Sequence, residues 1–235
     1  MSRGRVAICA LIAMFAFAAL AAPALAKKEN VSYFEASGET KLAVTGGQQE
    51  ILIPFEEHGS VKVKCGGVSG TKGEVKPTEG KTDSFTEKVK YEGCGIKGKK
   101  KTIVAVTMSD VEYEFHSNGT LSILNEVKIE WEPQCKIVMD PQTVGAEEVE
   151  EGKKGPVTYA TLGSGTTREV EAKIKTHTHE AGETNGFEFE GEKQLCSEAG
   201  FKTEGGKYKG NMTFDATTGK ESWIGFHEEI LTVKE

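Results

Sequence analysis

Two histidines, His177 and His179, lie one residue apart in the segment VEAKIKTHT, a spacing that could supply two ligands for one metal ion. Alternate side chains of a β-strand share a face about 6.5–7 Å apart, within reach of one zinc or copper ion. The side chains that could complete such a site are Glu183, Glu188 and His227. The same row continues back through Glu171, Lys173 and Lys175. Because lysines repel a cation, we interpret the two histidines as part of a solvated strand face. A metal site is the alternative. We expect no cofactor.

A second pair of candidate groups, Glu188 and Glu190, lies in the segment FEFE, where both carboxylates point to one side of a strand. Glycoside hydrolases use two carboxylates about 5–5.5 Å apart for retention of configuration and about 6.5–9.5 Å apart for inversion. Acidic residues that alternate with Phe187 and Phe189 are also the ordinary pattern of an exposed face behind a buried one. We therefore interpret Glu188 and Glu190 as part of an exposed strand face rather than as catalytic carboxylates.

The other catalytic motifs do not fit their context in the chain. Residues 93–98 read GCGIKG and match G-x-G-x-x-G, but the following KKKTIVAVT is a strand pattern. A dinucleotide site needs a helix at that point, with its N-terminus at the pyrophosphate. No serine stands in a G-x-S-x-G segment. We therefore predict that the protein is not an enzyme, and a secreted metal- or carboxylate-dependent hydrolase is the alternative.

Four cysteines lie beyond the N-terminal segment: Cys65, Cys94, Cys135 and Cys196. In an exported chain, an even number of cysteines without a CxxC pair predicts disulfides rather than a tetrathiolate metal site. Three pairings are possible, and locality favours joining the first two and the last two. These bridges would close loops of about 29 and about 61 residues, for roughly 3.5 and 4.3 kcal/mol of loop-closure entropy.

The first 26 residues have the order of an export signal. Arg3 and Arg5 precede the apolar run VAICALIAMFAFAALAA, and Ala24-Leu25-Ala26 stands directly before the charged KKEN. The alternative is a membrane-anchoring helix, but Pro23 and the small-residue exit favour cleavage after Ala26. We expect a secreted protein, extracellular or held in the periplasm or cell wall, with no membrane span after the signal is removed.

The charge balance excludes some partners. The whole chain has a formal net charge of −7, and removal of the first 26 residues takes away two arginines and no acidic residue, leaving −9. An acidic chain disfavours nucleic acid and anionic membranes, which need clustered positive charge. The basic clusters visible in the sequence are local, at 97–101 and at 153–154. The partner is unknown, and a cell-surface glycan or protein is a possibility that the composition leaves open.

Alternation of apolar and polar residues predicts strands throughout the chain, since every second side chain of a strand faces the core. The alternating segments are KLAVT (41–45), SVKVKC (60–65), SFTEKVKY (84–91), DVEYEF (110–115), VKIEW (127–131), VEAKIKTHT (170–178), FEFE (187–190), KYKGNMTF (207–214) and ILTV (230–233). Asn118-Gly119 and Asn185-Gly186 predict tight hairpin turns, and Gly46-Gly47 predicts a similar one. We expect an all-β, antiparallel, disulfide-stapled sandwich or barrel-like fold with little helix. It forms one domain over 27–235, or two subdomains split near 142–156.

The segments that surround the cysteines resemble a family of secreted bacterial β-rich proteins of unknown function. The resemblance rests on VKVKCGGVSG, FTEKVKYEGCG, VEYEFHSNGTL, QCKIVMDPQ and QLCSEAG followed by GKYKGNMTF, and it covers most of residues 34–226. It implies a bridge from Cys65 to Cys94 and a second from Cys135 to Cys196. A further cysteine pair of the family is replaced here by Asp110-Val111 and Leu124-Asn125, so that hairpin must rely on packing. The resemblance implies no activity, cofactor or catalytic residue.

Aromatic residues and sequons complete the candidate features. Trp131, Trp223, Tyr208 and Phe226 could form a platform for glycans, although buried core aromatics are the commoner outcome. Asn30, Asn118 and Asn211 each begin an N-x-S/T sequon, which matters only in a glycosylating secretory path. We predict a non-enzymatic extracellular or cell-surface binding or structural module, with a carbohydrate-binding module as the first alternative.

Overall fold

The structure, a computed structural model, describes residues 27–55, 59–97, 103–131, 135–146, 149, 155–176, 190–191 and 205–233. Its strands, numbered in chain order, are β1 (Lys27–Ala36), β2 (Thr40–Gly46), β3 (Gln49–Phe55), β4 (Gly59–Cys65), β5 (Gly67–Val75), β6 (Lys81–Thr82), β7 (Ser84–Glu92), β8 (Gly95–Lys97), β9 (Ile103–Met108), β10 (Val111–His116), β11 (Leu121–Ile123), β12 (Val127–Trp131), β13 (Cys135–Met139), β14 (Gln142–Val144), β15 (Val157–Leu162), β16 (Glu169–Lys175), β17 (Glu190–Gly191), β18 (Lys207–Ala216) and β19 (Ile224–Val233). A single 3₁₀ turn, Gly165–Thr167, separates β15 from β16.

The described strands form two antiparallel sheets. The smaller has the order β19-β1-β6, and the larger runs β14-β11-β10-β7-β5-β2-β18-β3-β4-β8-β9-β12-β13-β17, with β16 on β18 and β15 on β16. The predicted all-β, antiparallel class is confirmed, and among the described strands the sheets do not close into a barrel. By its contacts the chain divides into one unit of residues 31–229 and a second of residues 1–30 and 230–235. Within the described part, no helix has the length and apolar character to cross a membrane.

Aromatic contacts show that the larger sheet curls over itself. Phe85 of β7 and Phe214 of β18 are three strand spacings apart in the sheet, about 14 Å if it were flat. Their ring centroids nevertheless lie 4.8 Å apart, and Phe115 of β10 lies at the same distance from Phe214. Phe34 of β1 brings the smaller sheet onto this cluster, with its ring 4.8 Å from that of Phe85. The inner faces of both sheets therefore pack around one core.

The strand predictions hold wherever the structure describes the segment. Burial alternates along β7, where Phe85, Val89 and Tyr91 are buried and the lysines between them are more exposed. The period-2 pattern thus puts apolar side chains into the core, at about 1.5–3 kcal/mol of transfer free energy for each large one. The predicted FEFE strand and the turn at Asn185-Gly186 lie outside the described residues, apart from the backbone of Glu190 and Gly191.

Two predicted turns have different outcomes. Asn118-Gly119 closes the β10–β11 hairpin, with Gly119 at a φ of 90° and the Asn118 carboxamide oxygen accepting the Thr120 N–H at 3.0 Å. Gly46-Gly47 is not a hairpin turn, because β2 and β3 pair with successive parts of β18 rather than with each other. A glycine is needed at Gly46 for close packing, since a Cβ there would collide with the backbone of β18 and with a valine of β5.

Cys65 and Cys94 form a disulfide bond that joins the end of β4 to the residue before β8. Cys65 is buried and Cys94 packs against the same core, so the bridge closes a loop of 29 residues beside the hydrophobic cluster. Cys196 and the Cys135 side chain lie outside the described residues, and their pairing stays a prediction. At the hairpin where the resembling family has another cysteine pair, the Asn125 side chain donates to the Asp110 carbonyl at 2.9 Å and accepts the Glu112 N–H at 2.7 Å. The hairpin is therefore held by hydrogen bonds as well as by packing.

Candidate functional site

The outer face of four adjacent strands, β16, β18, β3 and β4, carries a cluster of lysines that we call the lysine-rich face. Its members are Lys62 and Lys64 of β4, Lys173 and Lys175 of β16, and Lys207 and Lys209 of β18. The strand register aligns Lys175 with Lys209, Lys209 with Glu50, and Glu50 with Lys64. Because neighbouring strands lie about 4.8 Å apart, these four side chains form one row about 14 Å long across the sheet.

Among the described residues, four carboxylates lie on this side of the four strands, and they neutralise only part of the charge of the six lysines. Glu50 and Glu171 pair with lysines of the face, and Glu169 and Asp215 lie further along β16 and β18. Glu50 bonds Lys62 at 2.6 Å and lies 3.7 Å from Lys64, and the hydrogen bond from Lys62 lowers the pKa of the Glu50 carboxyl. Glu171 pairs with Lys173 at 3.2 Å. The lysines without an ion pair to another described residue are Lys175, Lys207 and Lys209. The face therefore has an excess of positive charge within a chain whose formal net charge is −7.

A groove of about 440 Å³, which we call the Gly210 groove, opens in the lysine-rich face where β18 passes from β3 to β2. Its lining combines cations, two amides and one carboxylate: Gln48, Glu50, Lys173, Ile174, Lys175, Lys209, Gly210 and Asn211. Gln48 and Asn211 are exposed, and neither side chain hydrogen-bonds to another described residue. This groove can hold an anionic group on the lysines while the amides donate to and accept from its neighbouring hydroxyls.

Gly210 lines the groove, and the buried Gln49 side chain occupies the space where a Cβ of residue 210 would stand. The Gln49 carboxamide nitrogen donates to the carbonyls of Gly47 at 2.8 Å and Asn211 at 2.9 Å. These two bonds satisfy the backbone at the point where β18 changes partners, which fixes the shape of the groove. Gln49 itself is fully buried, so its carboxamide oxygen also needs a donor.

That donor is the last hydroxyl in a chain of three buried tyrosines. The Tyr208 hydroxyl donates to the Gln49 oxygen at 2.5 Å, and the Tyr91 hydroxyl donates to that of Tyr208 at 3.1 Å. Since each hydroxyl has one proton, Tyr113, at 2.7 Å, must be the donor to Tyr91. Burial raises the pKa of all three phenols well above its usual value, so they stay neutral. The chain of hydrogen bonds connects the core of the curled sheet to the groove.

A buried carboxyl group, Glu87, lies on the inner face of β7 and is fully inaccessible to solvent. Its Oε1 accepts backbone N–H groups from Lys72 at 3.1 Å and Lys88 at 3.0 Å, whereas Oε2 has no hydrogen-bond partner among the described residues. Burial raises its pKa to about 7, against the opposing effect of the N–H groups of Lys72, Lys88 and Gly73. Side chains at Gly70 or Gly73 would collide with this carboxyl and with backbone carbonyls of β7, which explains these two glycines of β5. Both lie in the segment where the register of β5 on β7 shifts, between Ser69 and Glu74.

A second cavity, also of about 440 Å³, lies between β15, β19 and the β10–β11 turn. Two of its serines already bond each other's backbone: Ser32 donates to the Ser117 carbonyl and Ser117 to that of Ser32, both at 2.8 Å. Tyr159 and Phe226 lie 5.0 Å apart at its inner wall and pack against the core. The Tyr159 hydroxyl is buried and has no hydrogen-bond partner among the described residues. The cavity is lined by polar as well as apolar groups, but its two serine hydroxyls, the Thr161 hydroxyl and the Asn118 carboxamide oxygen already hydrogen-bond within the protein.

Most of the metal and carboxylate candidates from the sequence fall outside the described residues, namely His177, His179, Glu183, Glu188 and the Glu190 side chain. Within the described part, His227 stacks on Tyr33 with ring centroids 5.4 Å apart and lies 3.0 Å from a Glu35 oxygen. No group of three or more histidine, cysteine, aspartate or glutamate side chains is arranged to hold a metal ion in that part. Lys173 and Lys175, the described lysines of the histidine row, are exposed as predicted.

The four candidate platform aromatics are distributed over separate parts of the fold. Tyr208 is in the core, and Phe226 packs against Phe34 at 5.6 Å. Trp223 lies under the Arg168 guanidinium at 3.4 Å, and Trp131 packs against the hydrophobic cluster. No ring contact among the described residues joins two of the four candidates. Core packing, the commoner outcome considered from the sequence, describes Tyr208 and Phe226.

Comparison with models of protein families, with curated proteins and with solved structures finds no match to this chain. The comparisons therefore supply no function, and the geometry of the lysine-rich face carries the functional argument. Sequence analysis recognised Lys173 and Lys175 as part of a wet face but missed the lysine-rich face. The alternating lysines of KVKC, KIK and KYK indicate three lysine-bearing strand faces, but nothing in the sequence says that these strands are neighbours.

Proposed function

We propose that the protein is an exported, non-catalytic binding module that contacts an anionic partner through the lysine-rich face. The observation that carries the proposal is the concentration of six lysines on one side of four adjacent strands in an acidic chain. The net charge argues against nucleic acid and anionic membranes as partners, but attraction depends on the local field of a surface as well as on the total charge. The signal-like segment 1–26 and the resemblance to secreted bacterial β-rich proteins support export to a cell surface.

A rigid sheet face suits this function. The lysines project from strands rather than from loops, and their neighbours on the opposite faces of the same strands are buried, as Ile174 and Tyr208 are. The backbone beneath them is therefore fixed before the partner arrives, which lowers the entropy cost of binding. Lys175 and Lys209 stand directly opposite each other across the ladder, where like charges repel. An anion bound between them would relieve that repulsion.

Replacing the three lysines of the face that form no ion pair with another described residue, by Lys175→Gln, Lys207→Gln and Lys209→Gln together, is expected to weaken binding to immobilised heparin about 100-fold. Each lysine near an anionic surface contributes about 1 kcal/mol, so three contribute about 3 kcal/mol. The measurement is the dissociation constant of the oxidised mature protein at low salt, together with its salt dependence. The matched control removes the same charge elsewhere, with Lys76→Gln, Lys128→Gln and Lys220→Gln.

The control variant should bind heparin as the wild type does. Equal weakening in both triple variants would mean that binding depends on net charge alone and not on the lysine-rich face. A wild-type protein that binds heparin no better than it binds an uncharged matrix would contradict the proposal as a whole. Unchanged thermal unfolding of both variants would confirm that the exposed substitutions leave the fold intact.

A further inference from the structure

We infer that the anionic partner is a linear acidic polysaccharide, one carboxylated sugar unit of which occupies the Gly210 groove; this rests on the proposed binding function. The groove lies on the lysine-rich face and is large enough, at about 440 Å³, for a small ligand unit. The groove is lined by lysines, amides and one carboxylate, and this combination of groups favours one class of anionic partner over the others.

The carboxylate in the groove argues against a ligand that presents charge alone. Glu50 lies in the middle of the charged row, between Lys209 and Lys64, and its pKa is lowered, so it stays ionised. A polyphosphate or an acidic peptide would place negative charge beside it and be repelled. A sugar hydroxyl, in contrast, can donate a hydrogen bond to that carboxylate. Glu50 thus favours a ligand in which hydroxyls alternate with anionic groups.

The two amides of the groove add the groups that a sugar needs. Gln48 and Asn211 are exposed at its rim, and each amide can donate and accept hydrogen bonds. Leu52 of β3 lies between Lys207 and Lys62 in the register. Because it is on the outer face, it is only partly buried. It offers an apolar contact for the C–H groups of a sugar ring. This face therefore combines three kinds of group that a carboxylated sugar needs. The lysines can bind its carboxylate, the amides can bond its hydroxyls, and the leucine can contact its ring.

The arrangement of the lysines indicates a chain rather than one compact anion. The row from Lys175 through Lys209 to Lys64 crosses four strands, about 14 Å, and a second row contains Lys207 and Lys62. A single small anion can reach only neighbouring lysines at one time. A polymer that runs across the strands can place one unit in the groove and contact both edges of the face, and linked contacts of this kind raise the overall affinity.

The test compares three probes of similar length: an oligogalacturonate, polyglutamate and neutral dextran. Titration calorimetry on the oxidised mature protein should show oligogalacturonate binding about tenfold or more tighter than polyglutamate, and no binding of dextran. The variant Lys175→Gln with Lys209→Gln should lose about tenfold or more in affinity for both anionic probes. The variant Gln48→Ala with Asn211→Ala should weaken oligogalacturonate binding about tenfold and change polyglutamate binding less than about twofold.

The outcomes separate this inference from the proposed function. If both anionic probes bind equally and the amide variant changes the affinity of neither, the face recognises charge alone. The polysaccharide inference is then wrong, and the proposed binding function stands. If neither anionic probe binds and heparin does not bind either, both are wrong. An amide variant that weakens both probes equally also contradicts the sugar-specific role of Gln48 and Asn211. Near-ultraviolet circular dichroism of each variant shows whether a loss of binding reflects the site or the fold.

Discussion

Replacing Glu87 by glutamine is expected to stabilise the protein by about 3 kcal/mol at pH 8 and to leave its stability at pH 4 nearly unchanged. Glutamine keeps the shape of the side chain and an oxygen for the N–H groups of Lys72 and Lys88. It removes the ionisation, and the NH2 group that it places at one oxygen position has an effect that does not depend on pH. Since the carboxyl is fully buried and one of its oxygens has no hydrogen-bond partner among the described residues, ionisation is where the wild type loses free energy.

The expected gain in stability at high pH follows from the pKa of Glu87. Burial raises this pKa from its ordinary 4.5 to about 7 in the folded protein. Below pH 4.5 the carboxyl is protonated in the folded and unfolded states alike, and its contribution to stability is fully present. As the pH rises from 4.5 to 7 the unfolded chain releases the proton while the folded protein keeps it, so stability falls. Above pH 7 the loss is complete, at about 1.4 kcal/mol per pKa unit.

The measurement is urea unfolding of the wild type and of Glu87→Gln at pH 4, 6 and 8. Their free energies of unfolding should diverge progressively with pH. The matched control is Glu112→Gln, at an exposed position of β10 beside β7, which should change stability by less than about 0.5 kcal/mol at each pH. A difference between wild type and Glu87→Gln that is the same at pH 4 and pH 8 would show that Glu87 does not titrate as described.

Replacing Tyr208 by phenylalanine is expected to lower the free energy of unfolding by about 2–6 kcal/mol. The substitution leaves two buried groups without their partners, the hydroxyl proton of Tyr91 and the carboxamide oxygen of Gln49. Each buried group left unsatisfied costs about 1–3 kcal/mol, and the volume of the ring is unchanged. Because Gln49 also supports the Gly210 groove, we expect weaker binding of the anionic probes together with the loss of stability.

The matched control is Tyr159→Phe, which also removes one buried tyrosine hydroxyl. That hydroxyl has no hydrogen-bond partner among the described residues, so its removal should be neutral or stabilising by up to about 1 kcal/mol. Denaturant unfolding of both variants checks the pair of predictions at once. Equal destabilisation by the two substitutions would show that the tyrosine chain contributes no more than the volume and packing of its rings.

The fold class could be predicted because alternation is a local property of the chain. Segments such as SVKVKC and VKIEW contain their own evidence of one dry and one wet face, and both are strands in the structure. The glycine-rich β5, with the sequence GVSGTKGEV, shows no such alternation and was not predicted. Gly70 and Gly73 are explained only by what lies beneath them, the Glu87 carboxyl and backbone carbonyls of β7.

Glu87 itself could have been noticed in the sequence. In SFTEKVKY it has the same parity as Phe85, Val89 and Tyr91, so the period-2 pattern places a carboxyl on the dry face. Its environment could not be predicted, because the Lys72 N–H that bonds it comes from the shifted register of β5, on another strand. The lysine-rich face escaped prediction for a similar reason. Its three lysine pairs are separated by more than 100 and by about 30 residues of chain, and only the strand order of the folded sheet brings them together.

The most direct measurement of the central claim is a map of backbone amide chemical shifts on titration with oligogalacturonate. We predict that the shifts that change with saturation belong to β3, β4, β16 and β18, with the largest changes around Lys175, Lys209 and Asn211. Saturable shifts confined to the cavity around Ser32 and Phe226, or no saturable shift in any strand, would contradict the assignment of the lysine-rich face as the binding surface.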